Sequence, residues 1–191
     1  SVNYTYDAAN RLLQTREFVA GSAGTDPNGF SGIYEGIERF DYDGNGNLIM
    51  RTRSGVQETQ TEQYAYNAHG QMSAYTDPSG EVYNYTYSPG GMRIAKEHNG
   101  SVERYYYDNG KIVNEANGNG SLTARNVFGI EGIAARTNAG QTTQYMIKNG
   151  HNDVVGTCDG TTVSARYDYD AYGAAAQTEQ FAHNPFRYCG E

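Results

Sequence analysis

The sequence predicts an all-β fold of consecutive β-hairpins, and three observations carry that prediction. An aromatic-x-aromatic pair recurs along the chain, at Tyr4/Tyr6, Phe40/Tyr42, Tyr64/Tyr66, Tyr85/Tyr87, Tyr105/Tyr107 and Tyr167/Tyr169. A strand turns alternate side chains to opposite faces, so each pair lays two rings on one face. Each pair is followed by turn chemistry ("DAAN", "DGNGN", "NAHG", "SPGG", "DNG", "DAYG"), and Asn-Gly occurs at 28, 45, 99, 109, 117, 119 and 149. Few residues enter the positive φ of a type I′ hairpin turn as readily as Asn and Gly. Helical periodicity is weak; "GAAAQTEQFAH" (173–183) is the one candidate for a short helix, and its context favours strand.

The units space at about twenty residues. Tyr4, Tyr6 and Asp7 open the first. Tyr42, Asp43 and Gly46 arrive late, because "AGSAGTDPNGFSG" (20–32) has the composition of an inserted loop. Within "DYDGNGNL" (41–48), Asp-x-Asp-x-Asn-Gly opens like a helix–loop–helix calcium loop. Position 12 of such a loop is Thr52, where a bidentate Glu is required, and the flanks are too short and polar to be paired helices. The stretch reads as a hairpin turn with Phe40 and Tyr42 inward, one residue longer than "DAANRL".

Tyr66 with Gly70 marks the next unit, then Tyr87, then Tyr107 with Asp108. In "EVYNYTY" Tyr83, Tyr85 and Tyr87 face one way, Val82, Asn84 and Thr86 the other. Phe128 and Ile147 read as degenerate members, and Tyr169, Asp170 and Gly173 close the series. Self-similarity at this period means units that stack, none stable alone.

Composition narrows the function. Only 37% of residues are apolar, with 18 Tyr and no Trp, so the core leans on rings whose hydroxyls stay wet or find partners. Gly numbers 24 and Pro 4, which suits tight turns better than disordered linkers. Net charge is −8 with no Lys/Arg cluster, which argues against nucleic acid as a partner. No apolar run is long enough for a membrane span. The chain begins at Ser1 and stops after "YCGE", and is expected to be a piece of a longer one.

Candidate chemistry is sparse. His69 and His98 sit in turn sequences and are expected to be solvated. His151, Asp153 and Cys158 could supply a Cys/His/Asp triad, but the spacing puts His151 and Asp153 on one strand face, which favours a structural hydrogen bond. Cys158 and Cys189 do not form a CxxC; a disulfide and two separate thiols both fit. There is no GxSxG, HExxH or phosphate-binding loop, and no paired-carboxylate arrangement stands out. The chain is therefore expected not to be an enzyme and to need neither cofactor nor metal. A glycan-binding repeat module is the alternative, though such arrays present Trp as well as Tyr.

Residues 4–12, "YTYDAANRL", resemble the YD repeat of the RHS family, and "FDYDGNGNL" follows the same pattern. Residues 145–191 resemble the start of the RHS-associated core domain. The landmarks are His151, Asp153, Gly156, the "YDYDAYG" block and Asn184-Pro185-Phe186-Arg187-Tyr188. The resemblance implies YD repeats over 1–144, a truncated core domain over 145–191, and a sheet that spirals into a hollow shell. In bacterial toxins that shell encloses a C-terminal cargo; related repeats serve adhesion in teneurins. The implied partners are the rest of the shell and its cargo, with self-association through strand edges possible in an open piece. The implied location is secreted or on a bacterial cell surface. The family's self-cleavage site is expected beyond residue 191.

Overall fold

In the computed structural model, residues 2–19, 33–55, 59–170, 173 and 184–188 are described. The expected inserted loop, most of 173–183 and Cys189 lie outside them. The fold is all-β: fifteen strands run through the described residues, and none of those residues is α-helical.

Two compact units are present, Ser1–Gly91 with Lys96–Gly100 and Met92–Ala95 with Ser101–Glu191. The first contains β1 (Val2–Tyr6), β2 (Leu12–Val19), β3 (Ile33–Tyr42), β4 (Leu48–Gly55), β5 (Gln60–Tyr66), β6 (Met72–Thr76) and β7 (Val82–Tyr87), each antiparallel to the next. Residues of β8 (Arg93–His98) fall in both units. The second contains β9 (Ser101–Asp108), β10 (Lys111–Asn117), β11 (Leu122–Gly129), β12 (Gly132–Asn138), β13 (Gln144–Lys148), β14 (Val154–Cys158) and β15 (Val163–Arg166), paired the same way.

One turn recurs with the same bonding. Asp7, Asp43, Asn67, Asp77, Asn117 and Asn149 each accept, through Oδ1, the backbone N–H groups of the residues two and four ahead, at 2.8–3.1 Å. The fourth residue of each turn has positive φ: Asn10, Gly46, Gly70, Gly80, Gly120 and Asn152. Asp or Asn is demanded at the start for its side-chain acceptor, and Gly or Asn at the fourth place for its left-handed backbone.

This corrects two expectations. Of the Asn-Gly pairs in the described residues, only Asn99-Gly100 and Asn109-Gly110 have both residues at positive φ, as a type I′ turn requires; the others serve the longer turn. "DGNGNL" also carries no extra residue, because Asp43 to Asn47 and Asp7 to Arg11 close the same turn with the same bonds. Asp43 Oδ2 accepts from the Asn47 side chain at 2.8 Å, so both its oxygens are engaged in the turn.

Beside five of these turns the register slips by one residue. A bulge interrupts the ladder and leaves a carbonyl in need of a donor. Tyrosine hydroxyls supply it. Tyr42 donates to the Leu12 carbonyl (2.9 Å), Tyr87 to Met72 (2.8 Å) and Tyr169 to Val154 (2.8 Å), and each acceptor is the first strand residue after such a turn. Tyr107 donates in the same manner to Arg93 (2.7 Å). The second ring of the aromatic pair is thus a latch onto an earlier strand. Tyr87→Phe keeps the ring and removes the latch, and is expected to cost about 0.5–1.5 kcal/mol in urea unfolding of the chain.

The same geometry fixes the phase of the degenerate units. The residue before the turn's Asx is Tyr6, Tyr42 or Tyr66 where the repeat is regular, and Lys148 before Asn149. Ile147 is therefore not the ring equivalent; Met146 occupies the position of Tyr4 and packs on the core. At the β1 edge Tyr4 and Tyr6 are more than half exposed.

In the first unit the ring-bearing face is polar as well as aromatic. Arg51 bridges Glu38 (2.9 Å) and Glu62 (3.3 Å), and Tyr64, Tyr75, Tyr83 and His98 stack in series. Burial, together with the Glu62 carboxylate that accepts its hydroxyl at 2.9 Å, pushes the Tyr75 phenol up to about 12. His98 is not simply solvated: its ring stacks on Tyr83 at 4.1 Å and its Nε2 lies 3.0 Å from Glu81.

Candidate functional site

The landmarks of residues 145–188 converge in the second unit. Asn149 sets the β13–β14 turn, and its Nδ2 donates to Asp153 Oδ2 at 2.8 Å while His151 Nδ1 lies 3.1 Å from Asp153 Oδ1. Asp153 is buried and the His151 ring is largely exposed. The pair belongs to a turn rather than to one strand face, which corrects that expectation. Cys158 ends β14 five residues past Asp153, about 16 Å along an extended strand, so the three do not assemble as a triad. Its thiol is free and half-buried.

Asn184 to Tyr188 return to this turn. The Val154 N–H donates to the Arg187 carbonyl at 3.0 Å, which docks the segment as a short extension of the sheet. Asn184 is buried and clasps its own segment, accepting from Phe186 N–H and donating to the Phe186 carbonyl. Phe186 meets Phe128 edge-on at 6.0 Å, and the Arg187 guanidinium lies 5.2 Å above the Tyr167 ring. Tyr188 reaches both Tyr169 (5.9 Å) and His151 (5.6 Å). Asp170 accepts from Gly173 N–H, and Gly173 has φ +83°. Beneath them Ile133, Val154 and Tyr167 form the buried core.

Two glycines explain their own presence. A Cβ on Gly173 would fall 2.7 Å from the Tyr188 ring, so that close approach needs glycine. A Cβ on Gly156 would fall 2.7 Å from the Ala165 carbonyl oxygen, which belongs to the paired strand β15 and cannot yield by rotating a side chain. Gly156→Ala is expected to destabilise the unit by about 1–3 kcal/mol, as overpacking does, with amide exchange in β14 and β15 rising first.

Beside this junction lies a cavity of about 770 Å³, walled by Tyr105, Tyr107, Phe128 and Phe186. On its wall sits a polar network that sequence reading did not anticipate. Arg136 is buried and grips Glu115 with two bonds, Nη1 to Oε1 at 2.5 Å and Nη2 to Oε2 at 2.9 Å. Its Nη1 also donates to Asn126 Oδ1 and its Nε to Asn138 Oδ1, both at 2.9 Å. Asn126, also buried, donates to Glu115 and to the Ile112 carbonyl. Burial pulls the Glu115 carboxyl upward, but the Arg136 hydrogen bonds and charge outweigh it and hold the group below its ordinary value. Burial also pushes the Tyr105 phenol up, aided by Glu103. Among the described residues no three His, Cys, Asp or Glu gather as a metal site.

The family model "RHS Repeat" matches residues 66–101. The tRNA nuclease WapA of Bacillus subtilis (strain 168) is 28% identical over 99% of this chain, and the tRNA3(Ser)-specific nuclease WapA of Bacillus spizizenii is 29% identical over 99%. The chain spans 8% of the length of each. Among solved structures, the Photorhabdus luminescens Tc holotoxin pore (TccC3-D651A) matches with TM-score 0.51 at 18% identity, over 91% of this chain and 8% of that one. TcdB2-TccC3 without its hypervariable C-terminal region matches equally, over 9% of its chain. These structures bear out the consecutive-hairpin fold. The relatives also correct one expectation: a chain read as not enzymatic aligns along nearly its whole length with proteins named as tRNA nucleases.

Proposed function

The chain carries the RHS repeat, and on that premise we propose that it is a stretch of wall in a toxin-type shell, part of a much longer protein with nuclease activity. The observation that carries this reading is the latch: tyrosine hydroxyls tie a strand to the carbonyl at an earlier bulge, so that hairpins within each unit are cross-braced. The cargo would be a C-terminal domain of the parent protein, acting on tRNA as the relatives' names say of them. The parent would be secreted or displayed on a bacterial surface. Residues 1–144 would be the repeat wall and 145–191 the start of the core domain that docks on it through His151, Asp153, Gly156, Tyr169, Gly173 and the Asn184-Pro185-Phe186-Arg187 segment. The edges at β1 and β15, paired on one side among the described residues, would continue into neighbouring wall.

Limited proteolysis of the parent protein tests the proposal. The C-terminal domain should resist digestion in the intact protein and be cut quickly when Gly173→Val pries Tyr188 from the wall. Equal cleavage of that domain in the intact protein and when expressed alone would refute enclosure.

A further inference from the structure

The face of the second unit opposite Tyr105 and Tyr107 carries a pattern that the wall reading does not use. Tyr106 pairs with Asn114, Asn114 with Arg125 and Arg125 with Thr137. Two residues along, Val127 pairs with Ala135, Ala135 with Tyr145 and Tyr145 with Cys158; Arg166 pairs with Gly156. Directly paired residues share a face, and so do residues two apart on a strand. Arg104, Tyr106, Arg125, Val127, Tyr145 and Arg166 therefore stand on one face along a diagonal. All six are exposed, Tyr106 at 48% and Tyr145 at 50%. Strand rise puts Arg104 about 7 Å from Tyr106, and strand spacing and rise put the steps from Tyr106 to Arg125, Tyr145 and Arg166 at about 10–12 Å each.

Ion pairing separates this face from the other. Arg51 and Arg136 on the ring-bearing faces grip carboxylates. Arg104, Arg125 and Arg166 have no carboxylate partner among the described residues, and the acidic residues that stand out on their side are Asp108, at the hairpin end opposite Lys111, and Asp168, exposed two residues past Arg166. In a chain of net charge −8 this is a local reversal of sign. A protein partner would need a broader apolar centre than the single row of Val127, Tyr145 and Val163 that crosses this face, with Leu122 at its margin. Rings alternating with unpaired guanidiniums on an open sheet match instead a strand of alternating bases and phosphates.

We propose that this face binds single-stranded RNA, with Tyr106 and Tyr145 stacking bases and Arg104, Arg125 and Arg166 contacting phosphates. Composition had argued against nucleic acid because no basic cluster exists in the sequence; the register of the strands makes one. The proposal does not depend on the wall reading.

Fluorescence anisotropy of the full chain with a labelled twelve-nucleotide RNA tests it. Affinity should fall with salt with a log–log slope of about −2, as three phosphate contacts to a single strand require. R104Q/R125Q/R166Q should weaken binding at least about tenfold and flatten that slope. Y106A/Y145A should weaken it at least about fivefold and leave the slope unchanged. Urea midpoints should hold in both variants, since all six side chains are exposed. The proposal is overturned if the parent binds no RNA at low salt, if the triple variant binds like the parent, or if anionic vesicles or heparin bind as tightly as the RNA.

Discussion

Arg136→Ala is expected to destabilise the second unit by about 3–5 kcal/mol, because it strands a buried carboxylate. Both partners are close to fully enclosed, with side chains 10% and 14% exposed, so solvent cannot replace the lost guanidinium. Four bonds disappear at once, two to Glu115 and one each to Asn126 and Asn138. Glu115→Ala alone leaves the opposite orphan and should cost a comparable amount. The double variant should cost less than the sum, because each single change leaves a charge that the double change removes. Urea unfolding of the four proteins reads this cycle, and strict additivity would show that the pair does not interact.

The pH dependence has a definite sign. In the parent, the Glu115 carboxyl is held below its ordinary value when folded. Its contribution is therefore complete above the unfolded pKa, near 4.5, and is lost as pH falls through the lower folded value. In R136A burial is opposed only by the Asn126 hydrogen bond, and burial, the larger influence, raises the pKa above the ordinary carboxylate range. That variant should take up a proton on folding in weak acid, so its penalty should shrink as the pH is lowered from 7 toward 5. A penalty constant across that range would mean that Glu115 finds another cation or water.

How much of this was legible beforehand depends on the distance over which each feature acts. Tyr-x-Tyr followed by Asp or Asn is a local signal, with period two for the strand and a side-chain acceptor for the turn. It placed Tyr42, Tyr87 and Tyr169 on the right face. The function of their hydroxyls was hidden, because the acceptors Leu12, Met72 and Val154 belong to earlier strands and are set by a bulge. Ile147 was misphased for a related reason: with the unit's one ring, Tyr145, on the opposite face, only the bonds of the Asn149 turn reveal that Met146 faces the core. The network of Glu115, Asn126 and Arg136 and the stripe of Arg104, Arg125 and Arg166 are both products of register across several strands. Nothing near any one of these residues announces it.

Ile133→Ala bears on why the landmarks gather where they do, and is expected to cost about 2–5 kcal/mol. Ile133 and Val154 are the largest fully buried side chains among the described residues, and all the buried apolar residues, Tyr167 included, belong to the second unit. Phe128, Met146, Ala165, Tyr169 and Phe186 pack against this group, so the returning segment and the β13–β14 turn share one small core. A cavity there has few ways to collapse: β12 is held by β11 pairing and the Arg136 bonds on one side and by β13 pairing on the other. Ile133→Val, which removes one methylene, should cost only about 0.5–1.5 kcal/mol. Hydrogen exchange of the alanine variant should show protection lost in β11 through β15 and kept in β3 through β6, whose stacked rings and Arg51 bridges do not touch this core. If protection fell equally in both regions, the core under the landmarks would be holding the whole chain rather than the docking of residues 184–188.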